Sequence, residues 1–304
     1  MAYIVIALGG NALLRKGQKP SCSVQMNNIR KTARSMAWAL SKLNMPFVLT
    51  HGNGPQVGDE FLRNLYAKEV PATPLYLLNA ETQAYIGSML QLALEEQFRL
   101  LGKALKICTI ITHTVVSKGD LAFKKSTKPI GPFYTKAQLD AELKREHFQF
   151  VRVRGMYRRV VPSPKPTSIL EAAQTKALLD AGYSVICCGG GGVPICKEKS
   201  GFSGANAVID KDRTTAMLAD LLKAKRMIIL TDVDSVRDQM GRRAKSMSAS
   251  EIKRSLNYFE EGTMRPKLES CMLFVSKAGR QASIGNLYKL DKILKGKSGT
   301  VIRR

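Results

Sequence analysis

The chain has 304 residues, 44% of them hydrophobic, enough for a substantial core in one large or two modest domains. Aromatic content is low at 7% while glycines number 24, which suits an α/β enzyme with tight strand-to-helix turns better than a β-sandwich. The formal charge of +24 is spread along the whole chain with no basic tail. No apolar run approaches the roughly 20 residues of a membrane span. Met1 leads into Tyr3 to Leu8 without an export signature, so a cytoplasmic protein is expected.

Tyr3 to Leu8 reads as a strand ending on Gly9-Gly10-Asn11. Ile29, Ala33, Met36, Leu40 and Leu43 then recur at helical spacing. Pro46 to Thr50 is a second strand, closed by His51-Gly52-Asn53-Gly54-Pro55. Ala80 to Leu101 reads as a long helix stopped by Gly102, and Leu105 to Val116 as one strand buried on both faces. Between Lys118 and Pro166 the periodicity fails, and twelve Lys/Arg stand against four Asp/Glu. A structureless loop of that length is unusual. The stretch is therefore expected to be a lid subdomain inserted in a single domain 1–304, with weak strand signals at Phe148 to Val153 and Tyr157 to Val161. Beyond it, helices are expected at Ser168 to Ala181, Asp210 to Lys223 and Met264 to Lys277. Strands are expected at Tyr183 to Cys188, Met227 to Thr231, Gln281 to Ile284 and Thr300 to Ile302. Such alternation predicts a mostly parallel sheet covered on both faces, with ligands at the carboxyl ends of its strands.

Cys22, Cys108, Cys187, Cys188, Cys196 and Cys271 form no C-x-x-C pair and read as reduced core residues. The three histidines, His51, His113 and His147, are too scattered for a metal centre; His51 reads as a packed residue at a strand end. The positive charge admits two readings, a surface for nucleic acid or a compositional habit with few cations facing an anionic substrate. No nucleic-acid module is recognisable, so the second is preferred.

Four strand ends carry turns suited to anions: Gly9-Gly10-Asn11, His51 to Gly54, Gly189 to Gly192, and Thr231-Asp232-Val233-Asp234. Glycine admits close approach of backbone N–H groups to an anion, although a tight turn needs glycine in any case. Walker A, protein-kinase and G-x-G-x-x-G signatures are all missing. Lys211, between Asp210 and Asp212, and Lys267 both fall near helix starts, where the dipole disfavours a cation unless an anion is bound. Phosphoryl transfer accounts for them, since it needs positioned positive charge more than covalent chemistry.

With these residues assembled, the sequence resembles the carbamate kinases of the amino acid kinase superfamily. The matching segments are A-L-G-G-N-A-L-L at 7–14, T-H-G-N-G-P-Q-V-G at 50–58 and A-E-T-Q-A-Y-I-G at 80–87. They continue with A-F-K-K-S-T-K-P-I-G-P-F-Y at 122–134, Y-R-R-V-V-P-S-P-K-P at 157–166 and G-G-G-G-V-P at 189–194. A-V-I-D-K-D at 207–212 and L-T-D-V-D at 230–234 complete the set. The resemblance implies an open αβα sandwich with a protruding lid, a homodimer, and reversible phosphoryl transfer between ATP and carbamate with Mg²⁺. A kinase for another small acid is the alternative within the superfamily.

By the same resemblance, Gly9, Gly10, Asn11, Gly52 and Asn53, with Gly54, Gly190 and Gly191, would hold the phosphoryl group and substrate. Lys128 would reach in from the lid, and Lys211 and Lys267 would bracket the ATP phosphates with Asp212 orienting them. Asp210 would be an indirect partner of Mg²⁺, itself held mainly by the nucleotide; no direct protein ligand is expected. Thr231, Asp232, Val233, Asp234 and Met264 would lie near the adenosine. The chain departs from the family pattern where Gly262-Thr263-Met264-Arg265-Pro266-Lys267 carries Arg265 in place of a glycine, at Val151-Arg152-Val153-Arg154, and at Asn206 and Arg213.

Overall fold

Five consecutive apolar residues make up β1 (Ile4–Leu8), and all five are buried. Successive side chains of a strand point to opposite faces, so burial of all of them requires cover above and below. Ile4, Ile6 and Leu8 enter one hydrophobic core, Val5 and Ala7 the other. The computed structural model describes residues 3–15, 17–43, 45–139, 148–153, 155–259 and 263–304. Of the residues singled out from the sequence, His147, Arg154 and Gly262 lie outside these, and Asn11 is described by its backbone alone.

Helix α1 (Cys22–Leu40) is capped by Ser21, whose hydroxyl accepts from the Val24 N–H. Strand β2 (Phe47–His51) pairs in parallel with β1. Two helices follow, α2 (Gly54–Tyr66), which the sequence reading lacks, and α3 (Leu75–Leu100), which it begins five residues late. Prolines set both starts: Pro55 in the first turn of α2 and Pro74 just before α3. The single strand expected at Leu105 to Val116 is two strands in two sheets, β3 (Ile107–Thr109) and β4 (His113–Val116). Gln83 of α3 makes the break. Its Oε1 accepts from the Thr112 N–H at 3.0 Å and the Thr112 hydroxyl at 2.6 Å, replacing the ladder partner a continuous strand would need.

The basic stretch contributes β5 (Lys128–Tyr134), the single turn α4 (Lys136–Gln138), β6 (Gln149–Val153) and β7 (Met156–Val161). Strands β5, β7 and β6 form a small antiparallel sheet. This sheet rests on α2, where Gly58 meets Gly131 so closely that a methyl on Gly58 would lie 2.0 Å from the Gly131 Cα. Phe61 of α2 meets Phe148 edge to face at 5.0 Å, with the Arg159 guanidinium 3.5 Å above the Phe61 ring. The helix expected from Ser168 starts late. Antiparallel pairing with β4 holds β8 (Pro166–Ile169) extended, and α5 (Ala172–Asp180) begins only afterwards.

The remaining elements are β9 (Ser184–Ile186), β10 (Val193–Glu198), β11 (Gly201–Gly204), α6 (Lys211–Leu221) and β12 (Arg226–Thr231). They are followed by β13 (Ser246–Ser248), α7 (Ala249–Ser255), α8 (Met264–Val275), β14 (Gln281–Asn286), α9 (Leu290–Leu294) and β15 (Thr300–Arg303). The main sheet has the order β13-β15-β14-β12-β1-β2-β9-β3, parallel from β14 to β3, with β15 antiparallel to β14. A second sheet has the order β11-β10-β4-β8. Ile29 and Met36 of α1, Ile86 and Leu90 of α3 and Ile293 of α9 cover one face of the main sheet. Leu179 of α5, Leu218 of α6 and Phe274 of α8 cover the other. This is the αβα sandwich with a mostly parallel sheet that the alternation of elements predicts.

Candidate active site

Because β12, β1, β2 and β9 run parallel, their carboxyl ends share one edge, and the glycine turns open there. The Gly9 N–H donates to the Leu230 carbonyl at 2.8 Å, tying the end of β1 to that of β12. Gly10 then starts a single 3₁₀ turn through Ala12. A methyl on Gly52 would come 3.6 Å from the Lys211 Cδ and Cε atoms and 3.7 Å from the Gly10 nitrogen. Gly10, Gly52 and the Lys211 stem therefore adjoin.

The first turns of α6 and α8 face the same edge. Asp210 caps α6, its Oδ1 accepting from the N–H groups of Asp212 at 3.0 Å and Arg213 at 3.3 Å. Its Oδ2 meets the Lys128 Nζ at 2.5 Å, so the start of β5 in the small sheet is joined directly to α6. Two residues on, the Asp212 carboxylate, with only 5% of its side chain exposed, holds Lys211 on Oδ1 at 2.5 Å and Lys267 of α8 on Oδ2 at 2.9 Å. Burial alone pushes the Asp212 carboxyl up, but the two ammonium groups override it and hold it well below the usual carboxylate range. Asp210 is likewise lowered, burial being outweighed chiefly by Lys128. Burial lowers Lys211 more than Asp212 raises it, whereas for Lys267 the attraction of Asp212 prevails and its pKa rises. Two ammonium groups share one buried carboxylate, an arrangement with surplus positive charge for an incoming anion.

Other residues marked from the sequence stand differently. Gly190 and Gly191, expected against substrate, are buried, with φ of 63° and 94°. A methyl on Gly190 would be 2.2 Å from the Asn53 Nδ2, and one on Gly191 would be 2.5 Å from the Ile209 carbonyl oxygen. These two glycines are buried and let neighbouring elements close in around them. Asn53, expected among the residues that hold the phosphoryl group and the substrate, has its side-chain amide donating to Asn79 Oδ1 at 3.0 Å and Thr82 Oγ1 at 2.9 Å, tying α2 to α3. Gly54 opens α2 beside it. His51 is fully buried with a methyl on Gly189 only 2.4 Å from its Nε2, and burial pushes its pKa down to about 4. It is the packed, neutral histidine that its place at a strand end suggests.

On the β12 side, Gly9, Thr231, Asp232 and Tyr288 line a cavity of about 380 Å³. Thr231 donates to the Asp232 Oδ1 at 3.0 Å, Val233 is exposed, and Asp234 pairs with Lys289 at 2.8 Å. Met264 opens α8 and packs against the core on that face of the sheet. The sequence reading left Arg213 and Glu269 without roles, yet both line a cavity with Lys128 and Asp210. The available signal was positional, since Arg213 adjoins the Asp210–Asp212 turn and Glu269 follows Arg265 by one helical turn.

The amino acid kinase family model matches residues 2–286. The chain belongs to that family. Within it, the chain is 38% identical to the carbamate kinase of Thermococcus kodakarensis over the full length of both proteins. Among solved structures of this family, the carbamate kinase of Giardia lamblia bound to citric acid superposes with a TM-score of 0.94 at 36% identity, covering 99% of this chain and 98% of that one. The same Giardia enzyme bound to AMP-PNP gives a TM-score of 0.89 at 34% identity, covering 99% and 98%. As a kinase of this family the protein uses an adenine nucleotide. Among the described residues no helix is long and apolar enough to cross a membrane.

Proposed function

We propose that the chain is a carbamate kinase, transferring a phosphoryl group reversibly between ATP and carbamate, with carbamoyl phosphate and ADP as the other pair. The observation that carries this reading is the buried Asp212 carboxylate shared by Lys211 and Lys267 at the strand ends, against Gly10 and Gly52. The transferring group carries its charge on three equatorial oxygens, and fixed cations in a largely dry site stabilise that charge without reorganising. Lys211 and Lys267 supply the cations, and Asp212 fixes their direction. Backbone N–H groups at Gly10, Asn11 and Gly52 offer further donors, while the Gly9 N–H is spent on tying β1 to β12.

Lys128, now on Asp210, serves the acceptor: an arriving carbamate or acyl phosphate competes for its ammonium, and the small sheet follows as a lid. The nucleotide lies toward Thr231 to Asp234 and Met264. Among the described residues no trio of Asp, Glu, His or Cys side chains stands ready as a metal cage. A Mg²⁺ ion would arrive with the nucleotide phosphates, and Asp210 would be the carboxylate in indirect contact with it. Bound Mg²⁺ would neutralise phosphate charge. The working form is a cytoplasmic homodimer.

The test is ATP formation from ADP and carbamoyl phosphate, compared with ADP and acetyl phosphate, in a coupled assay with Mg²⁺. Rapid turnover of the former and little of the latter is expected. No ATP from carbamoyl phosphate rejects the reading.

A further inference from the structure

A cavity of about 370 Å³ opens between the start of β5 and the first turns of α6 and α8, lined by Lys128, Ser163, Asp210, Arg213, Arg265 and Glu269 together with neighbouring residues. Glu269 stands between the two arginines: Arg213 Nη2 reaches its Oε2 at 3.0 Å, and Arg265 Nε reaches its Oε1 at 3.2 Å. The three side chains are 31%, 28% and 23% exposed, so they meet solvent at the cavity wall while remaining partly sheltered. Among the described residues this lining carries Lys128, Arg213 and Arg265 with the carboxylates of Asp210 and Glu269, and Lys211 and Asp212, the latter paired with Lys267, follow Asp210 in the chain.

Arg213 and Arg265 each sit in the first turn of their helix, where the dipole opposes a cation, and α8 has no acidic residue in its first turn. Bringing two guanidinium groups onto one carboxylate adds their mutual repulsion. A bound anion offsets both costs, and the planar fork of arginine suits phosphate oxygens. The cavity lies on the Lys128 side of the site, apart from the one that contains Gly9, Thr231 and Asp232.

We infer that Arg213 and Arg265, held by Glu269, bind the phosphoryl oxygens of the acyl phosphate substrate as it enters beside Lys128, before that group passes on to Lys211 and Lys267. Glu269 is a positioning residue that keeps both forks aimed at the cavity. The inference rests on the carbamate kinase reading, since it names a contact for that reaction's phosphorylated small acid.

The experiment is steady-state ATP formation by wild type, Arg265→Ala, Arg265→Lys and Glu269→Gln, with carbamoyl phosphate and ADP varied separately. Loss of one charge-assisted contact should raise the KM for carbamoyl phosphate about 10-fold in R265A, with kcat and the KM for ADP changed by less than about 3-fold. R265K, which keeps charge but loses the fork, should fall between R265A and wild type, and E269Q should raise the same KM without removing a cation. Inorganic phosphate, as a competitor of carbamoyl phosphate, should lose potency in R265A by the same factor. An unchanged KM for carbamoyl phosphate in R265A, or a rise confined to ADP, overturns the inference. If R265A does not fold, R265K decides alone, and wild-type values for it count against the inference. Absence of ATP formation by the wild type would instead reject the kinase reading itself.

Discussion

Replacing Asp212 by Asn tests the central arrangement most directly, because it keeps the shape and removes one charge. At an effective dielectric constant of about 20, a pair 2.9 Å apart attracts with about 6 kcal/mol, and the 2.5 Å pair slightly more. Desolvation offsets most of this, but removal of one partner strands the others, so about 3–5 kcal/mol of stability should be lost. Asn also presents an N–H in place of one of the two oxygens to which Lys211 and Lys267 now donate, so at least one ammonium must turn away. A displacement of about 1 Å costs roughly 100-fold in turnover, and loss of a fixed charge adds to it. Chemical denaturation and single-turnover ATP formation measure the two effects.

The pH profile adds a signed check. A carboxyl whose folded pKa lies below its unfolded value stabilises the protein above the unfolded value, near 4, and loses that contribution as pH falls through the folded one. The stability gap between wild type and D212N should therefore be full at pH 7 and shrink below about pH 4. A variant within about 0.5 kcal/mol of wild type and within threefold in rate would refute the claim that this carboxylate organises the site.

Three further outcomes are expected. Lys128→Ala and Lys211→Ala should each lower turnover by about 100-fold or more, because each removes a preorganised charge; near-normal rates would remove that residue from the mechanism. Gly58→Ala forces a methyl against the backbone of Gly131 and should cost about 1–3 kcal/mol, with faster limited proteolysis in residues 128–161; an unchanged cleavage rate would show that the small sheet does not depend on this seat. His51, lowered to about 4 by burial, leaves the unfolded chain binding more protons between about pH 4 and 6.5, so stability should fall as pH drops through that window by about 3 kcal/mol in all. Asp59, raised to about 6 by burial, acts in the opposite sense, so the thermal-melt difference between wild type and His51→Gln isolates the histidine. A difference independent of pH from 4 to 7 would contradict it.

Much of the architecture was legible in local patterns. β1 is a run of five apolar residues because it is buried on both faces, and glycines mark the turns at the ends of β1 and β2. Lys211 and Lys267 stood out because a cation in the first turn of a helix opposes the dipole, a cost visible without coordinates. Where long-range partners decide, the local pattern misled. Ile107 to Val116 is a near-continuous run of β-formers, mostly Ile, Val and Thr, yet Gln83, far away in the chain, splits it between two sheets. Gly190 and Gly191 read as anion-binding turns from composition, but their role depends on what approaches them, and Asn53 and Ile209 do.

The sequence by itself determined the alternation of strands and helices, the edge at which the turns cluster and the presence of out-of-place lysines, because these follow from periodicity and local backbone preference. Only the tertiary structure decided that Lys211 and Lys267 share one carboxylate, that Lys128 is tied to Asp210, and that Arg213 and Arg265 meet on Glu269. Except for the one-turn reach from Arg265 to Glu269 and the neighbouring Lys211 and Asp212, these pairs join residues from separate elements. Their meeting depends on how the small sheet, α6 and α8 pack, and no local propensity carries that information.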